Sequence, residues 1–337
     1  MNSDRTERHC SELPMVTVVI PTRNRSEMLR AGLESLLHQS YPRDRYEVIV
    51  VDNGSTDGTK EMVETITAAS NGLVRYLRQE NLGPAVARNR GIQEGTGEIL
   101  ALTDSDCQAH PDWIREGVNA LHADDKLGLI SGKVIPVPGK EITLLTRTML
   151  QERESPSYPS CNIFYRRETL DQVGVFDPRF GVFKYNRDYA IGGEDTDLGW
   201  RIKRAGWQTG FASEALIYHA VVRITALQKL LLDPGRYPIH AFLMKEIPEL
   251  RQHAFLRYFR RPETALFDLG AVGMVLAAVA HPAFLALGLP FPCYIGWVHV
   301  RPYRSGRLAK FAFLNVYFAA ISICLVYGSL KYRSLLL

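Results

Sequence analysis

Residues 47–59 read EVIVVDNGSTDGT, and this stretch decides the fold. Its first half is an apolar, β-branched run. It lacks the alternation of apolar and polar residues that is typical of a strand with one solvent-exposed face. Such a run predicts a strand buried on both faces of a parallel sheet. Asp52 ends the run, and Gly54 and Gly58 allow a tight polar turn. A helix is predicted directly after that turn, over residues 57–68.

The same order of elements is found on either side of this stretch. Residues 15–20 (MVTVVI) predict a strand and residues 27–39 a helix, and further strands are predicted at 73–77 and 98–102. Alternating strands and helices are typical of a doubly wound α/β sheet, in which ligands bind beyond the carboxyl ends of the strands. The polar motifs PTRN, DNGSTDGT and TDSD lie at those ends, so we expect the functional site there.

Composition excludes some classes of function. The formal charge of +4, from 40 basic and 36 acidic residues, is too small to indicate a nucleic-acid partner. The five cysteines are scattered and form no CxxC pair, which argues against a disulfide framework or a zinc site and suits a reducing compartment. Residues 1–14 are predicted to be a polar tail, and the N-terminus lacks the apolar segment of a secretory signal.

The last part of the chain is apolar. A first reach, 264–300, is interrupted by three prolines and predicts a hairpin of two short helices or a re-entrant element. A second reach, 311–330, is long enough to cross a bilayer. The basic residues at the borders are Arg257, Arg260, Arg261, Arg301, Arg304, Arg307 and Lys310. Flanking charge favours helices anchored from the cytoplasmic face. Core helices of a soluble domain, or a hairpin lying in one leaflet, are the alternatives.

Four segments follow from these patterns. Residues 1–14 form the tail and 15–235 the α/β domain. Residues 236–263 are expected to be a basic linker with interfacial helices, and 264–337 the membrane-associated helices.

The TDSD motif places two like charges, Asp104 and Asp106, on either side of a single serine. Their repulsion costs free energy unless water or a cation compensates it. Two such carboxylates can share one Mg²⁺ or Mn²⁺, and the ion would neutralise a diphosphate leaving group. A plain polar turn is the alternative explanation. His219, at the end of ALIYHA, is a candidate third ligand, although a lone histidine is more often structural.

Three further motifs carry candidate side chains. Asp52 can accept a hydrogen bond from a nucleobase, while its neighbours cap the next helix. NLGPAVARNRGI (81–92) gives a turn and a helix start, which attracts phosphate, with Arg88 in its first turns. GGEDTDLGWRIKRAGW (192–207) crowds Glu194 and Asp195 at a helix start. Helix electrostatics alone explain that crowding, but a carboxylate there can also serve as a general base.

Taken in order, these motifs resemble the family 2 glycosyltransferases of GT-A fold, from about Met15 to about Ala220. The resemblance implies a nucleotide-diphosphate sugar donor, a divalent cation and inversion at the anomeric carbon. The residues that it implies for the nucleotide sugar are Pro21, Arg23, Asp52, Arg88 and Asp104. The implied metal ligands are Asp104, Asp106 and His219. The Glu-Asp pair of the family falls on Glu194 and Asp195, with Asp195 as the general base.

The segment CNIFYRR, with Asn162, Arg166 and Arg167, resembles the acceptor-side loop of that family. The QxxRW motif of polymerising members is missing from the sequence, so we do not expect processive polymerisation. The apolar tail favours a lipid-linked or polysaccharide acceptor at a membrane. Two alternatives are a non-catalytic nucleotide-sugar-binding subunit and an NDP-sugar nucleotidyltransferase. The second would need a triphosphate loop rich in glycine and lysine, which PTRNRSEM does not provide.

Overall fold

The computed structural model describes residues 13–181, 192–301 and 305–337. Nearly all of the predicted tail, and Arg304, therefore lie outside the described residues. The chain divides into two compact units. The first contains the described residues of 13–141, 148–181 and 194–222, and the second those of 142–147, 192–193 and 223–337.

The first unit is built on an eight-stranded, mostly parallel sheet with strand order β3-β2-β1-β4-β8-β6-β9-β5. The strands of the chain are β1 Val16–Thr22, β2 Tyr46–Asn53, β3 Val74–Gln79, β4 Ile99–Thr103, β5 Cys107–Ala109, β6 Leu127–Pro136, β7 Thr146–Arg147, β8 Asn162–Arg166, β9 Gln208–His219 and β10 Val222–Arg223. Strands β5 and β8 run antiparallel to their neighbours, and the other paired strands of this sheet are parallel.

Helices cover both faces of this sheet. The helices of the chain are α1 Ser26–Leu37, α2 Thr59–Ala69, α3 Pro84–Glu94, α4 Trp113–His122, α5 Arg167–Val173, α6 Glu194–Arg204, α7 Ala226–Leu232, α8 Pro238–Glu246, α9 Pro262–Val279, α10 Pro290–Tyr294 and α11 Arg307–Tyr332. Val48 and Val50 of β2 belong to the large core that α1, α2 and α4 complete. Ile49 and Val51 pack with Ala87 of α3 on the opposite face. This two-residue alternation explains why the strand is apolar at every position.

The predicted elements of the first hundred residues are confirmed, with boundaries that differ by one or two residues. The second half of the sheet, β5 to β9, was not predicted as strands. In particular, the prediction of a loop at CNIFYRR is wrong, because Asn162–Arg166 is a strand, with Ile163, Phe164 and Tyr165 fully buried. A buried backbone must pair its polar groups, and here β4 and β6 provide the partners.

The second unit contains the apolar C-terminal helices. Three segments are long and apolar enough to cross a membrane: Pro262–Val279, Pro282–Val300 and Arg307–Tyr332. The middle one consists of a 3₁₀ segment, α10 and a π-helical segment in series. His299 and Glu263 are hydrogen bonded at 2.6 Å, so the first reach turns back and its two ends meet. A return of this kind is common to the hairpin and to the re-entrant element, so both stay predictions.

The tight packing of α4 on β8 provides a test of the fold. A Cβ atom added to Gly117 would lie 2.2 Å from Cζ of Phe164, a buried ring that has no flexible end to move aside. We expect Gly117→Ala to cost about 1–3 kcal/mol of stability. In Gly58→Ala, the matched control, the new methyl meets nothing within 4 Å. Thermal unfolding of the full chain in detergent measures both, and an unchanged midpoint for Gly117→Ala would contradict this packing.

Candidate active site

The predicted site residues gather where the parallel strands end. Thr22, the last residue of β1, is in register with Asp52 of β2, and Pro21 is in register with Val51. Asp104 directly follows β4. These carboxyl ends form one edge of the sheet, as the order of strands and polar motifs predicted.

Asp106 and His219 meet at this edge because β5 and β9 pair. Cys107 lies opposite His219 in that pair, and Ala220 N donates to Asp106 O at 2.8 Å. His219 Nε2 is 3.7 Å from Asp106 Oδ1, which is buried and has no hydrogen-bond partner within the described residues. His219 Nδ1 lies 2.9 Å from the carbonyl of Ala220. A carbonyl only accepts, so Nδ1 carries the proton and Nε2 of the neutral ring is a free ligand atom.

Asp106, Cys107 and His219 form a group whose ligand atoms all lie within 4.8 Å of one another. Burial raises the pKa of the Cys107 thiol well above its usual value, which disfavours the thiolate. An oxygen and an imidazole nitrogen remain, and they suit Mg²⁺ or Mn²⁺. Asp104 is not part of this group.

Arg88 is the centre of the acidic cluster. Its Nη2 donates to Asp104 Oδ1 at 3.0 Å and its Nη1 to Glu194 Oε1 at 2.8 Å. Only 6% of Arg88 is exposed, and its guanidinium lies 5.8 Å from the ring centre of Phe176. Both terminal nitrogens of Arg88 bond carboxylates in this arrangement, and its predicted contact with phosphate stays a prediction. The residue joins the turn after β4 to the start of α6.

The two acids at the start of α6 differ in environment. Glu194 is buried and its Oε1 is held by Arg88. Asp195 keeps some exposed surface, and it accepts from the backbone N–H groups of Thr196 (2.8 Å) and Ser160 (3.4 Å). Burial, and then the charge of Glu194, raise the pKa of Asp195 to about 7, while Arg88 opposes the shift. A carboxylate with that pKa is matched to proton transfer near neutral pH.

The carboxylates of the separate motifs share one region. The buried thiol of Cys161 has a raised pKa, first because of burial and then because of Asp104, Asp106 and Asp195. The charges of three carboxylates from two distant motifs therefore act on one thiol.

Asp52 is fully buried, which sequence reasoning did not anticipate. Its Oδ1 accepts from Ser55 N at 2.8 Å and its Oδ2 from the Tyr76 hydroxyl at 2.6 Å. Burial, and then Asp52, raise the pKa of Tyr76, so the phenol stays protonated as the donor. In this arrangement Asp52 holds the loop that follows β2, and its predicted contact with a base stays a prediction.

The acceptor-side residues do not lie together. Arg166 is in register with Ile99, at the amino end of β4 and so away from the acidic edge. Arg166 donates to the carbonyl oxygens of Leu121 and Leu127, and Arg167 donates to those of Gly95 and Gly97. These arginines hold the first unit together, so their assignment to the acceptor is wrong.

Asn162 has a different position but a similar role. It is opposite Thr103, at the acidic end of β4. Its side chain is fully buried and bonded to Trp113 Nε1, Lys133 O and Ala215 O, so no atom of its amide is left for an acceptor. Its assignment to the acceptor is therefore also wrong.

Sequence reasoning missed Arg25 and Tyr76 as parts of the site. Arg25 Nη1 donates to Asp106 Oδ2 at 2.6 Å across a separation of 81 residues. Tyr76 is in register with Val50, two residues before Asp52 and thus on the same face of the sheet. The strand register would have indicated Tyr76, whereas no local signal indicates Arg25.

Comparison with known proteins agrees with this geometry. Residues 17–183 match the model of the family described as Glycosyl transferase family 2. The glycosyltransferase AglE of Haloferax volcanii is 31% identical over 245 residues, which cover 70% of this chain and 77% of AglE. The chain belongs to glycosyl transferase family 2. The probable glycosyltransferase YdaM of Bacillus subtilis is 26% identical over 235 residues, covering 64% of this chain and 53% of YdaM.

Two solved structures resemble this glycosyltransferase in fold. The mannosyltransferase PcManGT of Pyrobaculum calidifontis, in complex with GDP-Man and Mn²⁺, gives a TM-score of 0.60 at 21% identity over 96% of this chain and 88% of that chain. GalNAc-T7, with UDP, GalNAc and Mn²⁺, gives 0.53 at 17% identity over 86% of this chain and 57% of that chain. The predicted GT-A fold and transferase activity of this family 2 glycosyltransferase are confirmed.

The bridging arginine generates a stability prediction. Arg88→Met leaves the carboxylates of Asp104 and Glu194 without their counter-charge, and we expect a loss of about 3–5 kcal/mol. Thermal unfolding at pH 7 measures this loss. Arg30→Gln, at an exposed arginine of α1, should stay within about 0.5 kcal/mol of the wild type. A loss for Arg88→Met no larger than that of this control would contradict the bridging role of Arg88.

Proposed function

We propose that this enzyme transfers a sugar from a nucleotide-diphosphate sugar to a hydroxyl group, with inversion at the anomeric carbon. The supporting observation is that Arg88 joins Asp104 of the first acidic motif, at 3.0 Å, to Glu194 of the second, at 2.8 Å, next to Asp195 in the chain. Two separate acidic motifs, one suited to a cation and one to a proton, then act on the same reacting centre.

Asp106 and His219 are the proposed metal ligands. Oδ1 of Asp106 and Nε2 of His219 lie 3.7 Å apart, and both atom types suit Mg²⁺ or Mn²⁺. A bound cation would offset the negative charge of the departing diphosphate. In our proposal Asp104 is not a ligand of this cation. Its side chain is 29% exposed, and its Oδ2 is assigned to the sugar nucleotide.

Asp195 is the proposed general base. Its carboxylate takes the proton of the acceptor hydroxyl as the acceptor oxygen bonds to the anomeric carbon. The bond from that carbon to the diphosphate oxygen breaks at the same time, and the nucleoside diphosphate leaves from the opposite face. Because the acceptor oxygen attacks the face opposite to the leaving diphosphate in a single displacement, the configuration at the anomeric carbon inverts. The backbone N–H groups of Thr196 and Ser160 orient the carboxylate for this transfer.

The nucleotide is assigned to the loops after β1 and β2. Pro21 and Arg23 belong to the first loop, and Asp52 holds the second through Ser55 N. PcManGT was solved with GDP-Man and GalNAc-T7 with UDP, which supports a nucleotide-bound donor here.

The acceptor is proposed to be lipid-linked or a polysaccharide at the cytoplasmic face of a membrane. The three apolar segments support this location, since they would hold the catalytic domain near a lipid-borne substrate. In this proposal residues 15–235 are catalytic, 236–263 connect, and 264–337 anchor the enzyme. The basic border residues favour the cytoplasmic side.

Removal of the metal ligand tests the cation site. Asp106→Ala should weaken Mn²⁺-dependent binding of GDP or UDP by at least about tenfold, because a ligand oxygen is lost. Isothermal titration with and without Mn²⁺ measures this effect. Asp125→Ala, at a fully exposed carboxylate, is the matched control. Equal Mn²⁺-dependent binding by both variants would refute the assignment.

Removal of the base tests the chemistry. Asp195→Asn should lower kcat by about 10²–10⁴-fold while binding of the nucleotide persists. Because the pKa of Asp195 is raised to about 7, the wild-type rate should rise with pH up to about 7 and then level off. The residual rate of Asp195→Asn should not show this rise with pH. Initial rates of sugar-nucleotide turnover from pH 5 to pH 9 measure both. Normal turnover by the variant would identify another base.

A further inference from the structure

We infer that Arg25 is a positioning residue that fixes the carboxylate of Asp106 for cation binding, an inference that rests on the proposed function. Arg25 Nη1 donates to Asp106 Oδ2 at 2.6 Å. The other oxygen, Oδ1, is buried, has no hydrogen-bond partner in the described part of the chain, and lies 3.7 Å from His219 Nε2. The two oxygens of one carboxylate therefore have different tasks: Oδ2 is held by a guanidinium, and Oδ1 is presented to the ligand nitrogen.

The backbone explains how Arg25 reaches Asp106. Asn24 adopts a φ of +52°, a left-handed conformation that asparagine tolerates better than most residues. Its Oδ1 accepts from Thr56 N at 2.8 Å and its own N–H donates to Ser55 Oγ at 2.9 Å. The loop after β1 is thus tied to the loop after β2, and the turn at Asn24 directs the next side chain toward Asp106.

Two effects of Arg25 on a cation oppose each other. Its positive charge repels the ion, and its hydrogen bond holds the ligand in place. The side chain of Arg25 is 45% exposed, so water and salt screen its charge. The carboxylate of Asp106 is only 11% exposed, and the orientation of a buried ligand typically changes metal affinity by about 10–100-fold. Orientation therefore outweighs repulsion, and loss of Arg25 should weaken metal binding.

The test measures Mn²⁺ alone, by electron paramagnetic resonance of the free ion, on the full chain in detergent. Arg25→Gln should bind Mn²⁺ about tenfold more weakly than the wild type. Arg25→Lys should be intermediate, because it keeps the charge and a donor but loses the planar fork. Arg30→Gln, at an exposed arginine of α1, is the control and should bind as the wild type does. Circular dichroism without Mn²⁺ should show all four proteins folded at the temperature of the titration, so a weaker affinity is not a loss of fold.

A second comparison shows whether Arg25 acts through Asp106. In an Asp106→Asn background, Arg25→Gln should cause no further loss of Mn²⁺ affinity, since the residue to be positioned has changed. Unchanged or tighter Mn²⁺ binding by Arg25→Gln would overturn the inference and leave the metal site standing. Absence of Mn²⁺ binding by the wild-type protein would overturn the proposed metal site, and this inference with it.

Discussion

The active-site edge depends on one buried cation, the guanidinium of Arg88. It joins Asp104, which follows β4, to Glu194, which begins α6 and lies 106 residues after Arg88 in the sequence. Without a positive charge between them, these carboxylates would repel each other in a region of low dielectric. The same charge counteracts the rise in the pKa of Asp195 that burial and Glu194 cause. A single side chain thus holds two acidic motifs together and limits the pKa of the neighbouring acid.

Carboxylates with similar chemistry acquire different roles from their surroundings at this edge. Asp106 is held by an arginine on one oxygen and faces an imidazole on the other, so it is suited to a cation. Asp195 is bonded by backbone N–H groups, and burial and the charge of Glu194 raise its pKa to about 7, so it is suited to a proton. Asp52 has both oxygens bonded internally and stabilises a loop. Environment, more than residue type, separates these functions.

The sequence predicted the first half of the sheet because its strands are apolar on both faces and are followed by polar turns. It predicted the acidic edge for the same reason, since the carboxyl ends of parallel strands coincide. It did not predict the partners of Arg88, Asn162 or Arg166, because those partners are distant carboxylates and backbone carbonyls. The local sequence does not distinguish an arginine that binds phosphate from one that binds a backbone carbonyl. Only the strand register, such as Arg166 opposite Ile99, separates them.

The return of the first apolar reach has a consequence for biogenesis. Glu263 and His299 meet at one end of the hairpin, and at mid-length a methyl on Gly270 would lie 3.1 Å from the Cα of Gly288. Between the two legs, Pro262–Val279 and Pro282–Val300, lie only Ala280 and His281. No folded domain therefore lies between the two legs, and a bilayer that took up this pair would take up both legs and their short turn together.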